Sequence, residues 1–349
     1  MIMNRRALLS GAGGASGSLA ASRVAGAPAA RTRRHRRTSH SEVAALRQAA
    51  ETIRRGDSRH GGGSTRASRA VRLLDERALP LLTTRLASRT ERELCSVSAE
   101  LARLAGWAAL DVGQHGTAFY HFDHALGWSR QANDDNLSCY ILATMALLAT
   151  LRNSPATALD LAQGSVRTAG AGGARVNARV LSFTRLIEAR AHARAGDARA
   201  ASSALAAAEH LLEQTSGQDG APAWIDFLTH PRLASDAAEI HRDLGNARAC
   251  LAWNEQATAM PPTDFTRSVG MRLAVVATAH LRLGDLDESL SLAHRSVDIL
   301  RNVESRRARG YVQGLTVALA SHRDTRPVRA FLSRAHRDLG LTDLSGIAA

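Results

Sequence analysis

The stretch LARLAGWAALDVGQHGTAFYHFDHALGWSRQAN, residues 101–133, decides the fold. Apolar and small residues recur at helical spacing on both sides of a short break, Gly-Gln-His-Gly, that starts at Gly113. This pattern predicts two antiparallel helices joined by a tight turn. Gly106 and Ala118 are small enough to let the two helices approach closely. Gly113 permits the turn, and Phe122 fills the gap that remains between the helices.

The same pattern occurs five times along the chain. Each turn residue follows one small residue by seven positions and precedes another by five. The turn residues are Gly113, Asn153, Gly196, Gly245 and Gly284; the small residues before them are Gly106, Ala146, Ala189, Ala238 and Ala277; those after them are Ala118, Ala158, Ala201, Cys250 and Ser289. The turns are spaced farther apart than the 34 residues usual for tetratricopeptide repeats. We therefore predict an all-α, tetratricopeptide-like, right-handed α-solenoid of about six helix pairs, the sixth and weakest lying between Gly310 and Ala335.

Four segments are predicted along the chain. Residues 1–40 form a basic segment rich in Gly, Ala and Arg that is expected to be disordered. Residues 41–90 supply N-terminal capping helices, residues 91–340 the repeat domain and residues 341–349 a tail. Within the capping segment we expect a first helix from Ser41 to Arg55, a glycine-rich loop to Thr65, and a second helix interrupted at Pro80.

The basic segment has three readings. It can be an inert linker. Alternatively, Arg5-Arg6 followed by a weakly apolar stretch and Ala27-Pro28-Ala29 is typical of a twin-arginine export signal. The run Arg31 to Arg37 would also suit an arm that contacts nucleic-acid phosphates.

Composition supports helix-on-helix packing. Hydrophobic residues make up 45% of the chain and aromatic residues only 4%, so the core must consist mainly of Ala and Leu. The net charge is +13, and all 45 basic residues other than His are Arg. Residues 1–40 hold eight of these arginines and no acidic residue, which leaves only +5 for the rest of the chain. The folded body is therefore only mildly basic.

Several kinds of chemistry are not expected. The absence of Lys excludes a Walker A lysine and a Schiff-base lysine. Cys95, Cys139 and Cys250 lie far apart and are expected to be buried, free thiols in a reducing compartment. His121 and His124 lack the companion ligands of a metal site. The sequence predicts no catalytic residue, no cofactor, no metal and no membrane span.

A solenoid offers a concave surface lined by the first helix of each pair. The repeat register places eight candidate residues there: Arg103, Trp107, Tyr140, Arg190, Arg194, Glu239, Arg242 and Arg282. Arginines beside aromatic rings suit the capture of carboxylates and apolar side chains. We expect an acidic or C-terminal peptide, held extended, with Trp107 and Tyr140 contacting its apolar positions. Packing between repeats is the alternative role for Trp107, and a homodimer stays open.

Four longer stretches carry a resemblance to a known family. They are AELARLAGWAALDVGQHGTAFYHFDHAL (99–126), ILATMALLATLRNSPATALDLAQ (141–163), LIEARAHARAGDARAASSALAAAE (186–209) and AWIDFLTHPRLASDAAEIHRDLG (223–245). Over roughly residues 68–335 the sequence resembles the helical-repeat region of Xre-type helix-turn-helix transcriptional regulators of high-GC filamentous bacteria. The resemblance is most specific around Gly106-Trp107 and at His241–Gly245.

The resemblance implies a regulator whose repeats act as a sensor region behind a DNA-binding domain. This sequence shows no helix-turn-helix pattern ahead of its repeats, so direct DNA binding is not expected of it. The function predicted is a non-enzymatic, regulator-like interaction module in the cytoplasm that binds a peptide or protein partner in its concave groove. The alternative is a repeat scaffold of the cell envelope, exported through the twin-arginine pathway.

Overall fold

A computed structural model describes residues 40–60, 64–83, 88–171, 176–215 and 220–341, and within these ranges the regular structure is entirely helical. The predictions about an export signal or basic arm fall on residues 1–39, which lie outside the described residues, as does the tail after Leu341. Among the described residues, no helix is both long enough and apolar enough to cross a membrane.

Six antiparallel helix pairs follow one another along the chain. They are α4 (Ser88–Asp111) with α5 (His115–Gln131), α6 (Asp135–Leu151) with α7 (Pro155–Ala171), α8 (Ala178–Ala195) with α9 (Ala198–Glu213), α10 (His230–Asp243) with α11 (Ala247–Ala257), α12 (Thr266–Arg282) with α13 (Leu286–Leu300), and α14 (Arg306–Ala318) with α15 (Arg326–Leu339). The predicted all-α helical-repeat fold is confirmed.

The five predicted turns have the expected backbone. The φ angles of Gly113, Asn153, Gly196, Gly245 and Gly284 are all positive, between 57° and 85°. Such a conformation ends a helix at low cost in Gly and at a tolerable cost in Asn. In three of these turns the next residue, Asp197, Asn246 or Asp285, accepts a hydrogen bond from a backbone N–H in the first turn of the second helix. Each of these dipeptides therefore ends one helix and caps the next.

Small residues bring the two helices of each pair together, as predicted. Ala118 and Ala201 are fully buried, and Phe122 fills the space beside Gly106. A Cβ atom added to Gly106 would lie 2.5 Å from the Phe122 ring. At this position a hydrogen is the only side chain that the packing of α4 against α5 admits.

Gly106→Ala should therefore destabilise the protein by about 1–3 kcal/mol, because the Phe122 ring must shift within a packed core. Urea denaturation measures the change. Gly127→Ala is the matched control: Gly127 is an exposed glycine inside α5 with no atom within 4 Å of an added Cβ. That substitution should leave stability unchanged or raise it by up to about 1 kcal/mol. Equal effects of the two substitutions would contradict the packing described for Gly106.

The capping segment differs from the prediction in two places. The first helix, α1 (His40–His60), continues through Gly56 instead of ending at Arg55. In the second, α2 (Ser64–Leu73) passes through a π-helical turn, Leu74–Ala78, before the short α3 (Leu79–Leu82). The irregularity thus precedes Pro80, since proline has no N–H to continue the regular helical bonds.

Helices that are distant in sequence also meet. Helix α1 packs against both α4 and α12, and α14 packs against α4 as well as α12. The first repeat is therefore in contact with the sixth, and α1 contacts both the first and the fifth. The predicted solenoid winds tightly enough that α14 lies against α4.

Candidate functional site

The interior contains a large cleft, here called the central cleft, with a volume of about 630 Å³. It lies where the first helices of the pairs end. Its lining residues include Leu110, Leu151, Arg194, Arg242, Thr278 and Arg282 from α4, α6, α8, α10 and α12, together with one face of α14. Every repeat thus contributes to a single concave site.

The central cleft is lined by more arginines than carboxylates. Asp243 accepts hydrogen bonds from Arg242 and forms an ion pair with Arg194 at 2.9 Å. Arg282 donates a hydrogen bond to the backbone carbonyl of Arg242 and has no carboxylate of the described residues within ion-pair distance. The same holds for Arg306, which is exposed at the start of α14. The cleft consequently presents an excess of positive charge.

A second space, here called the aromatic cavity, has a volume of about 100 Å³ and lies deeper between the helices. Tyr140 forms its centre, with ring centroids 5.0 Å from both Phe183 and Trp224. Phe227 packs edge-on against Phe183, and Trp107 packs edge-on against Phe122. Trp224 and Phe227 lie just before α10, and both rings contact the Tyr140 ring.

Arg103 on α4 lies in the wall of the aromatic cavity and is only 3% exposed. Its guanidinium carbon lies 5.1 Å from the centroid of the Tyr140 ring, within cation–π distance. Its Nε and Nη2 atoms are buried and have no hydrogen-bond partner. A buried guanidinium without an acceptor is costly, so this arginine is poised for a ligand.

A buried ion network separates the aromatic cavity from the central cleft. Arg190 donates to Asp236 at 2.8 Å and to Glu239 at 2.6 Å, and the hydroxyl of Tyr311 on α14 donates to Glu239 at 2.8 Å. Arg242 also reaches Glu239, at 3.4 Å. The network joins α8, α10 and α14 through groups that are almost fully buried.

The pKa values in this network follow from burial and charge. Burial alone would raise the pKa of Glu239, but the attraction of Arg190 and Arg242 outweighs it and holds that pKa below its usual range. Burial, together with the nearby Glu239 carboxylate, raises the pKa of Tyr311. Glu239 is therefore ionised and Tyr311 protonated near neutral pH, which is the state that the hydrogen bonds require.

Asp111 is a buried carboxylate at the C-terminal end of α4. This carboxylate is 1% exposed and accepts hydrogen bonds from Arg267 on α12 and from Arg307 on α14, the latter at 2.8 Å. The guanidinium carbon of Arg307 also lies 5.8 Å from the centroid of the Trp107 ring. One carboxylate thus links the first repeat to the fifth and sixth.

The predicted site residues all lie on the inner face, but they divide between two places. Arg194, Arg242 and Arg282 line the central cleft. Arg103, Trp107, Tyr140 and Arg190 line the aromatic cavity, and Glu239 lies beside it in the ion network. A role in partner binding remains a prediction for all of them.

Two expectations about these residues are wrong. Tyr140 is 2% exposed and Arg103 3%, so neither lies on an open groove where an extended peptide could contact it. Trp224 packs against the Tyr140 ring. Arg190 also does not await an acidic partner, because Asp236 and Glu239 already neutralise it within the chain. Arg194 and Arg242 also pair with acids of the chain, so of the expected inner arginines only Arg282 and the buried Arg103 have no carboxylate of the described residues within ion-pair distance.

Other residues of the site escaped the sequence analysis. Arg306, Arg307 and Tyr311 belong to α14, whose repeat pattern is weak, and Trp224 belongs to a segment between repeats. Asp111 lies two residues before the predicted turn at Gly113, and that position names no partner.

The fold is similar to solved structures at low sequence identity. A Rap protein complexed with Competence and Sporulation Factor matches with a TM-score of 0.52 and 13% identity over 86% of this chain and 87% of that chain. BtubC (BKLC) from P. vanneervenii matches with a TM-score of 0.40 and 13% identity over 73% of this chain and 91% of that chain. No family model and no curated protein matches. At this identity the likeness to the Rap protein concerns the fold alone.

Proposed function

We propose that the chain is a non-enzymatic interaction module, of the kind found in Xre-type transcriptional regulators, that binds an acidic segment of a peptide or protein partner in the central cleft. The observation that carries this proposal is the uncompensated positive charge of Arg282 and Arg306 within a concave surface built by all six repeats. Carboxylates of a partner would form charge-assisted hydrogen bonds with these arginines.

Two further points support the proposal. The cleft is large enough for several side chains, at about 630 Å³, whereas the aromatic cavity is not. The Rap protein whose fold is similar was solved with a bound factor. The amino-acid sequence of the repeats resembles the sensor regions of Xre-type regulators, and this resemblance supports a role in regulation.

Reversing the charge of the cleft should abolish capture of the partner. In the double variant Arg282→Glu/Arg306→Glu, an acidic partner meets like charges, and we expect at least a tenfold loss of bound partner in a pull-down from cell lysate. Raising the salt concentration should weaken the wild-type interaction as well, because exposed charges are screened.

The matched control is Arg199→Glu/Arg248→Glu, which reverses two exposed arginines on the second helices α9 and α11. It changes the net charge of the protein equally but leaves the cleft intact. If both double variants lose the partner to the same extent, only net charge matters and the cleft is not the binding site. Unchanged capture by the cleft variant would also refute the proposal.

A further inference from the structure

The aromatic cavity is a second site, distinct from the central cleft. We propose that it binds a small monocarboxylate with an apolar body, whose carboxylate pairs with Arg103. This inference does not depend on the function proposed for the cleft. It rests on the charges that line the cavity, the burial of Arg103 and the size and chemistry of the remaining wall.

Among the arginines that line the aromatic cavity, Arg103 alone has no carboxylate partner among the described residues. The others are paired: Arg54 with Asp226 at 2.7 Å, Arg190 with Asp236 at 2.8 Å, Arg232 with Asp236 at 2.8 Å, Arg307 with Asp111 at 2.8 Å, and Arg267 with Asp111. Arg190 and Arg232 share Asp236, and Arg267 and Arg307 share Asp111, but each of them touches a carboxylate. Arg103 touches none, so the carboxylate of a ligand would supply the partner that it lacks.

The nearest acid on the same helix does not fill this role. Glu100 lies one turn before Arg103 on α4 but forms no ion pair with it. Burial raises the pKa of Glu100, and this outweighs the attraction of Arg103. Arg103 therefore keeps an unmatched charge and two buried N–H nitrogens that lack acceptors.

The rest of the wall defines the body of the ligand. Beyond the arginines it is built from the rings of Trp107, Tyr140, Phe183 and Trp224, from aliphatic side chains such as Ile187, and from two polar residues, Asp236 and Ser268. The Tyr140 hydroxyl makes no hydrogen bond to any residue that the structure describes, so it is free to bind a second carboxylate oxygen. The rings and aliphatic side chains favour a ligand with an apolar body, and the arginines disfavour a cation.

The volume limits the ligand to a small molecule. An engineered apolar cavity of roughly 150 Å³ holds benzene, so a cavity of about 100 Å³ suits a molecule smaller than benzene. The ion pair of Arg54 with Asp226 marks a route from solvent, because Arg54 lines the cavity while the Asp226 side chain is 55% exposed. A short-chain acid such as propionate, which is smaller than benzene, matches both size and charge.

Titration of the full-length protein with propionate tests this inference, with the fluorescence of Trp107 and Trp224 in the cavity wall as the reporter. Propionamide has the same shape without the charge. We expect a saturable change with the acid and at least about tenfold weaker binding of the amide, a difference of about 1.4 kcal/mol. No saturable response to the acid, or an equal response to the amide, would overturn the inference.

Variants assign the binding to Arg103. Arg103→Met should weaken propionate binding at least about tenfold, whereas Arg92→Met, which alters an exposed arginine on the same helix, should not. Without ligand, the Arg103→Met protein should melt at the same or a higher temperature than wild type, because an unpaired buried charge has been removed. A large fall in its melting temperature would show that Arg103 serves the fold, and would overturn the inference.

Carboxylates on apolar groups also occur at the C-terminus of peptides. A pentapeptide ending in Leu with a free carboxylate, compared with its amidated form, separates that source from a free acid. If the peptide produces the response and propionate does not, the assignment to a small acid is wrong.

Discussion

Replacing Arg190 with Met should lower the free energy of unfolding by about 3–5 kcal/mol, since it leaves two buried carboxylates without their main partner. Arg190 is 8% exposed and bridges Asp236 on α10 to Glu239 one turn later. Arg232 and Arg242 remain within reach of these acids, which favours the lower end of the range. Urea denaturation at neutral pH measures the loss.

Arg194→Met is the control for this experiment. Arg194 lies one helical turn further along α8 and also pairs with an acid, Asp243, but its side chain is 37% exposed. Solvent screens such a pair, so Arg194→Met should lower the free energy of unfolding by only about 0–1 kcal/mol. Similar losses for the two variants would mean that burial does not set the strength of these ion pairs, contrary to the structure.

The pH dependence of the Arg190→Met effect gives a second readout. The folded pKa of Glu239 lies below its unfolded value of about 4.3. The contribution of Glu239 to stability is thus complete above that pH and is lost as the pH falls through the folded pKa. The stability difference between wild type and Arg190→Met should therefore narrow as the pH falls below about 4.3.

Asp111→Ala should destabilise the protein by a similar amount, about 3–5 kcal/mol, because Arg267 and Arg307 would both lose their shared carboxylate. This variant should also loosen the contact of α4 with α12 and α14. We expect small-angle X-ray scattering to show a larger radius of gyration for Asp111→Ala than for wild type under conditions where both are folded.

Asp338→Ala provides the comparison. Asp338 also lies between two arginines, Arg334 and Arg337, but all three belong to the single helix α15 and the acid is 24% exposed. Asp338→Ala should lower the free energy of unfolding by no more than about 1 kcal/mol and should leave the radius of gyration unchanged. An unaltered radius for Asp111→Ala would show that Asp111 does not hold the repeats together.

The repeat architecture could be predicted because its determinants are local. A positive-φ residue such as Gly196, an Asp or Asn directly after it, and small residues at fixed distances on both sides specify one helix pair each. Each of these rules acts within about 20 residues. Cys250 and Ser289, which are fully buried at the small position, show that the rule selects size more than polarity.

The site could not be predicted to the same depth, because it depends on how tightly the repeats wind. Each repeat is rotated slightly relative to the one before it, and these rotations add up along the chain. Their total decides whether α14 faces solvent or α4, and no short stretch of sequence encodes that total. The pairing of Asp111 with Arg307 follows from the winding. So does the burial of Tyr140 beneath Trp224. Arg190 lies on the inner face as predicted, but its partners Asp236 and Glu239 lie 46 and 49 residues further along the chain.

Site-specific photo-crosslinking tests the central claim, partner binding in the cleft, most directly. Gly314 lines the central cleft, and both it and Gly127 on α5 are exposed helical glycines with no atom within 4 Å of an added Cβ. Each would be replaced in turn by benzoylphenylalanine and irradiated in cells. We expect a partner to be crosslinked from position 314 and not from position 127. The crosslink from position 314 should disappear in Arg282→Glu/Arg306→Glu. Crosslinking from position 127 alone, or from 314 regardless of the charge reversal, would contradict this claim.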